Sequence, residues 1–232
     1  MEIHVVSGLP NLFQGPLNES IIERARKNNL VNIYVHNIRD YATDKHKQID
    51  DYPYGGGPGM ILKPEPIFRC IEHIQAKFDL KDTHVSLLTP AGKLFDQKTA
   101  IEFSLRNKLI LLCGHYKGID QRIVENLVTE EISIGDFILT GGELPAMCVI
   151  DAVVRLLPGA IGDFDSADTD SFQTDLLDHP HYTRPVEFRG MKVPEVLISG
   201  HHEKIKKWQR SMSLEFTQKR RIDLYNKYIK TE

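Results

Sequence analysis

The chain has 232 residues, 41% hydrophobic and 26% charged, with 29 Lys and Arg against 32 Asp and Glu for a net charge of −3. Such a composition supports a packed core, which excludes disorder and collagen-like repeats, and its near-balanced charge excludes a whole-molecule positive field that gathers nucleic acid. No apolar run, of which Leu109 to Cys113 is typical, approaches the ~18–20 residues of a membrane span. Met1-Glu2-Ile3-His4 does not open like a secretory signal, so a cytosolic protein is expected. Three widely spaced cysteines, Cys70, Cys113 and Cys148, make neither a disulfide framework nor a C-x-x-C metal clamp, and read as small buried hydrophobes.

Taken in chain order, Glu2 to Ser7, Asn32 to His36, His84 to Thr89, Leu109 to Cys113 and Glu131 to Ile134 have the length and composition of strands. Between them, Leu17-Ile21-Ile22-Ala25, Ile67-Ile71-Ile74-Phe78 and Ala100-Phe103-Leu105 fall at helical spacing, the second opened by Pro64 and Pro66. This alternation predicts an α/β domain over residues 1–160 with a mainly parallel sheet. Residues 161–180 then carry six aspartates and no base, and the stretch 161–178 reads as an acidic linker between domains. Residues 181–232 carry a net +6, with Lys204, Lys206, Lys207, Arg210, Lys219, Arg220 and Arg221 on two helical-looking stretches. A second, helical domain over 179–232 is expected; its basic residues suit a phosphate backbone or simply a solvated face, and charge alone does not separate the two.

Three of the candidate strands end in glycine-punctuated loops: Leu87-Leu88-Thr89-Pro90-Ala91-Gly92, Cys113-Gly114-His115-Tyr116-Lys117-Gly118-Ile119-Asp120, and the run from Ser133 to Glu143. In an open parallel sheet ligands bind beyond the carboxyl ends of the strands, so three such loops at one end point to a shared small-molecule pocket. The standard phosphate motifs are absent. No G-x-G-x-x-G follows the first strand, and Gly55-Gly56-Gly57-Pro58-Gly59 lacks the Gly-Lys-Ser/Thr ending of a P-loop. Tyr52 and Tyr54 beside that loop could stack on bases, or the segment is a plain surface loop. His179-x-His181 and His201-His202 lack the spaced Cys or H-E-x-x-H helix of a metal site, and no metal ligand is assigned.

Tyr54-Gly55-Gly56-Gly57-Pro58-Gly59-Met60, Leu88-Thr89-Pro90-Ala91-Gly92, the block Cys113 to Asp120, the run Ser133 to Pro145, and Leu177-Asp178-His179-Pro180-His181-Tyr182-Thr183-Arg184-Pro185 together closely resemble the TrmD family of bacterial tRNA (guanine-N1)-methyltransferases. The blocks occur in order over almost the full chain, which is far more specific than any one of them. The resemblance implies a SPOUT-type α/β domain whose backbone forms a deep trefoil knot, a topology that connection rules make very rare. It also implies a homodimer with two composite active sites, and a small C-terminal helical domain that grips the anticodon stem-loop of tRNA.

The resemblance makes S-adenosylmethionine the methyl donor. Its contacts on this sequence would be Leu87, Leu88, Thr89 and Pro90, then Gly114 and Tyr116, then Ser133, Ile134, Gly135, Asp136, Phe137, Ile138 and Leu139, with Gly141, Gly142 and Pro145. Guanine N1 carries a proton at neutral pH, so its methylation requires a base for that proton and a cation near O6, where negative charge develops. The resemblance assigns these roles to Asp170, through the pattern Asp170-Ser171-Phe172, and to Arg155 for methylation next to the anticodon at tRNA position 37. Composition alone does not single out Asp170 among its aspartate neighbours, and Arg155 stands at i, i+4 from Asp151, where a helix-surface ion pair would also account for it. Asp50 and His46 are candidates for the neighbouring anticodon base.

One block departs from the family, which reads Arg-Tyr-Glu-Gly-Ile-Asp-Glu-Arg where this chain has His115-Tyr116-Lys117-Gly118-Ile119-Asp120-Gln121-Arg122. A carboxylate has become Lys117, which removes a ligand from any magnesium ion that the family would use there, and a fixed ammonium takes its place. Two other classes stay open on the sequence. Another SPOUT enzyme acting on ribose 2′-OH or ribosomal RNA would explain the pocket, and a non-catalytic RNA-binding protein would explain the basic tail.

Overall fold

The computed structural model describes residues 1–80, 83–161, 170–173 and 175–230. Much of the acidic segment, residues 162–169, lies outside the described residues. The chain divides into two compact units, Met1–Gly162 and Asp163–Glu232.

In the first unit the elements run β1 Glu2–Ser7, α1 Ser20–Lys27, β2 Asn32–Asn37, β3 Asp50–Asp51, β4 Ile61–Leu62, α2 Pro64–Phe78, β5 Val85–Leu94, α3 Gln97–Ser104, β6 Lys108–Cys113, α4 Gln121–Leu127, β7 Glu130–Ser133 and α5 Glu143–Val154. The main sheet is five-stranded, in the order β2-β1-β6-β5-β7, with every pairing parallel. Both of its faces are covered. Ile3, Val5, Leu109, Leu111 and Cys113 belong to one buried cluster with Val149, Ile150 and Val153 of α5, whereas Val6, Ile110, Leu112, Val85 and Leu87 belong to a second with Ile67, Ile71 and Ile74 of α2. Alternate residues of a strand point to opposite faces, so a strand covered on both sides reads as an unbroken apolar run, which is why Leu109 to Cys113 stands out.

The expected strands are all present, the first with the expected bounds and the others with shifted ends. The largest shift is in β5, which does not stop at Thr89 but runs on to Leu94. It pairs Leu88 with Ile132 of β7, bulges outward over 89–92, and returns to pair Lys93 with the same Ile132. Gly92 makes the return feasible, because a Cβ there would lie 2.3 Å from the Ile132 nitrogen and 2.4 Å from the Glu131 carbonyl carbon. Three helices start on polar caps or a proline: the Asp96 carboxylate accepts from the Thr99 N–H before α3, the Asp120 carboxylate accepts from the Arg122 N–H before α4, and Pro64 begins α2.

In the second unit, β8 Glu187–Phe188 and β9 Met191–Lys192 form a hairpin turning through Arg189 and Gly190, both at positive φ. Three helices follow: α6 Glu195–Ile198, α7 His202–Arg220 and α8 Ile222–Ile229. The basic tail is thus helical, as its pattern indicates. The described residues 170–173 and 175–178 are built into this unit. Leu176 is buried, the Leu177 N–H donates to the buried Thr217 Oγ1 at 2.9 Å, and the Lys227 ammonium meets the Asp175 carboxylate at 2.6 Å. Among the described residues no helix is long and apolar enough to cross a membrane.

Candidate functional site

The adjacency of β6, β5 and β7 brings the carboxyl ends of β6 and β7 beside the bulge within β5, and so the loops 114–120 and 134–142 beside the segment 89–92. Between these loops and the start of α5 lies a half-open cleft of about 210 Å³. It is lined by Leu87, Leu88, Thr89 and Pro90 from the first loop, Gly114 and Tyr116 from the second, and Ser133, Ile134, Gly135, Phe137, Ile138, Leu139, Gly141, Gly142 and Pro145 from the third. Of the residues that the sequence nominates for a donor, Asp136 alone is not in the lining. Ile138, 80% exposed, and the half-exposed Phe137 leave an open apolar rim. His115, Lys117, Gly118, Ile119, Ile132 and Thr140 line the cleft as well, although sequence reasoning does not nominate them.

Two glycines fix how closely the loops meet. The Gly142 N–H donates to the Gly114 carbonyl at 2.7 Å, and a Cβ on Gly142 would sit 2.9 Å from the Cys113 Cα. At Gly141, which bridges to His115, a Cβ would fall 2.3 Å from both the Glu143 Oε2 and the His115 Nδ1. A larger residue at either position would push the third loop off the second and open the cleft. The Gly-rich segment 55–59 is tied to the same place: the Lys117 N–H donates to the Met60 carbonyl at 3.0 Å, the Leu62 N–H to the Gly118 carbonyl at 3.1 Å and the Asp120 N–H to the Leu62 carbonyl at 3.1 Å.

Behind the cleft is a buried polar group that sequence reasoning passed over. Glu143 is 2% exposed, and its Oε1 accepts from the Ser7 hydroxyl at 2.7 Å. The neighbouring Cys113 thiol is pushed well above its ordinary pKa, first by burial and then by the Glu143 carboxylate, so it stays protonated and unreactive. A contact between residues 7 and 143 leaves no local trace in a sequence; the only available signal is a carboxylate opening the apolar helix α5.

Arg155 caps the C-terminus of α5 in the first unit, and its N–H donates to the Asp151 carbonyl at 3.2 Å. Asp170 lies in the second unit, partly buried, with its carbonyl accepting from the Gln173 N–H at 3.3 Å. Asp50 begins β3, and His46 stands in the preceding loop, its N–H donating to the Asp44 carboxylate at 2.9 Å. Among the described residues one trio could converge on an ion: Asp178, His179 and His181, with ligand atoms within 4.8 Å of one another. Its members already satisfy each other, the His181 Nε2–H donating to Asp178 at 2.8 Å while the His179 Nδ1 meets the Pro180 carbonyl at 3.1 Å.

Comparison with known proteins agrees along the full length. The family model described as tRNA (Guanine-1)-methyltransferase TrmD matches residues 1–227. A protein of Clostridioides difficile named tRNA (guanine-N(1)-)-methyltransferase is 48% identical over 227 residues, covering 98% of each chain. Proteins of the same name from Alkaliphilus oremlandii and Dehalococcoides mccartyi are 52% and 53% identical, covering 100% and 98% of this chain and 95% and 91% of their own length.

Proposed function

The chain belongs to the TrmD family of tRNA (guanine-1)-methyltransferases, and from that premise we propose that it methylates N1 of guanosine at tRNA position 37 with S-adenosylmethionine as donor, in the cytoplasm. The observation that carries this reading is the convergence of three loops, from three adjacent strands, on one cleft. The cleft suits a nucleoside-sized donor: apolar walls from Leu87, Ile134 and Leu139 can sandwich a planar base, while the peptide groups of the loops can bond its edge. Gly141 and Gly142 let the third loop pack closely on the second and so shape the cleft. When bound, S-adenosylmethionine supplies an electrophilic methyl group on sulfur.

This chain's own residues do the rest. The Asp170 carboxylate takes the proton from guanine N1, freeing the ring-nitrogen lone pair for attack on the methyl carbon. The Arg155 guanidinium stands over O6 and neutralises the charge that gathers there as N1 is deprotonated; its fork can span O6 and N7 together. Base and cation come from different units of the fold. We assign Asp170 to act across a homodimer, each active site combining loops of one protomer with the aspartate of its partner, and the C-terminal unit to hold the anticodon stem-loop. Support for a second copy comes from α5, in which Leu144 is 52% exposed and Cys148 is exposed on a helix whose only charges are Glu143 and Asp151. The deep trefoil knot belongs to the same reading. The Lys117 ammonium offers no ligand for magnesium where the resembled family pattern has a carboxylate.

Mass-spectrometric mapping of nucleosides, after incubation with S-adenosylmethionine and a tRNA transcript bearing guanosine 37, is expected to find 1-methylguanosine at that position; methylation on ribose or elsewhere overturns the reading. Asp170→Ala should keep its affinity for S-adenosylhomocysteine and lose product formation by ~10²–10⁴-fold, the range for removal of a general base. Arg155→Ala should slow the single-turnover step likewise. Near-normal product from Asp170→Ala would remove it as the base.

A further inference from the structure

The buried polar group behind the cleft reaches into it through His115. Glu143 is anchored from one side by Ser7, whose hydroxyl donates to Oε1 at 2.7 Å while accepting the Leu9 N–H at 2.9 Å. From the other side Oε2 faces the His115 Nδ1 at 3.6 Å. That Nδ1 is buried and, among the described residues, has no hydrogen-bond partner. Buried polar atoms of folded proteins are nearly always partnered, so a 3.6 Å approach to a carboxylate marks a contact that a small closing motion completes. The ring itself lines the cleft, with 21% of the His115 side chain open and the Tyr116 ring edge-on at 4.8 Å. A carboxylate facing Nδ1 keeps the proton on that nitrogen and leaves Nε2, on the far edge of the ring, with a free lone pair.

We propose that His115 is a ligand-binding residue of the donor cleft, its Nε2 accepting a hydrogen bond from an O–H or N–H group of the S-adenosyl ligand, and that Glu143, anchored by Ser7, is its positioning residue. The proposal rests on the donor reading above and adds residues to it. Glu143 fixes the tautomer and the ring plane; the close fit at Gly141 lets the third loop settle onto that pair. Binding of the ligand draws His115 onto Glu143 and so couples the second loop to the third.

The test is calorimetric titration of the full chain with S-adenosylhomocysteine at about pH 8, above the ordinary imidazole range, together with ¹⁵N spectra of the histidine rings. His115→Asn keeps a donor where Nδ1 was and nothing where Nε2 was; it should melt like wild type yet bind about tenfold more weakly, as loss of one hydrogen bond predicts. His115→Gln, whose amide oxygen reaches the Nε2 position, should recover most of that loss. Glu143→Gln should weaken binding about fivefold without touching ligand, and should turn the wild-type Nδ1–H tautomer into a mixture. If that variant does not fold, the Asn and Gln pair still decides. Wild-type affinity in His115→Asn, or an Nε2–H tautomer in the wild-type protein, overturns the proposal alone, whereas absence of heat from wild type overturns the donor reading and this with it.

Discussion

Lys117 stands where the resembled family pattern has a carboxylate. Its backbone N–H is fixed to the Met60 carbonyl, and the Gly59 Cα is close enough that a Cβ there would lie 3.5 Å from that of Lys117, so the ammonium-bearing residue joins the Gly-rich segment to the cleft. On the donor reading proposed above, this exposed cation would offset negative charge that the donor brings to the rim of the cleft. Lys117→Glu should therefore make turnover depend more steeply on magnesium, because the new carboxylate needs a counter-ion that the wild-type lysine supplies itself. Initial rates across a magnesium series would check this; parallel curves for the two proteins would refute it. At this scale the sequence was informative where chemistry is carried by local motifs. The cleft-lining glycines stand out in their blocks, whereas Glu143 and His115 draw their roles from Ser7, 136 residues away from Glu143.

At the scale of elements, legibility follows burial. Strands β1 and β6 are covered on both faces and announce themselves as apolar runs, whereas the two-residue strands β3 and β4 carry no periodicity to read. The continuation of β5 is hidden for a different reason: Thr89-Pro90-Ala91-Gly92 has the composition of a turn, and only pairing with β7 shows that the strand resumes. That return gives a sharp test. In Gly92→Ala the added Cβ meets the peptide atoms of Glu131 and Ile132, which cannot move aside without breaking the β5–β7 ladder. The cost should reach or exceed the upper end of the ~1–3 kcal/mol typical of overpacking, with S-adenosylhomocysteine affinity lost at the same time. Gly15→Ala is the control, because nothing lies within 4 Å of its Cβ and its φ is −73°. It should change stability by less than about 1 kcal/mol. Equal urea midpoints for the two variants would show that β5 does not pass so close to β7.

For the whole molecule, the relevant quantity is the pH dependence of folding. His4 of β1 lies opposite Tyr34 of β2 and diagonal to His36, which places the His4 Nδ1 3.0 Å from the His36 Nε2, with the His4 ring stacked on Tyr34 and edge-on to Phe78. Burial pushes both imidazoles down from 6.5 to about 4, assisted at His4 by His36 and Lys108 and at His36 by His73 and Lys77. The folded protein thus refuses protons that the unfolded chain accepts, so stability is full above about pH 6.5 and falls as pH drops toward 4. Carboxylates held low in the fold, such as Asp120 and Glu130 beside their arginines, add a loss of the same sign at lower pH, so the total acid slope alone does not isolate the histidines. The difference between proteins does. His4→Phe keeps an aromatic ring against Tyr34 and Phe78 but removes one titrating partner. Urea unfolding between pH 7 and 4.5 should therefore show a shallower decline for the variant, with the two curves converging toward acid. Because the pair shares one hydrogen bond, the midpoint of that difference belongs to both histidines jointly. Parallel declines would mean that His4 titrates alike in the folded and unfolded chain and contributes nothing to the acid sensitivity.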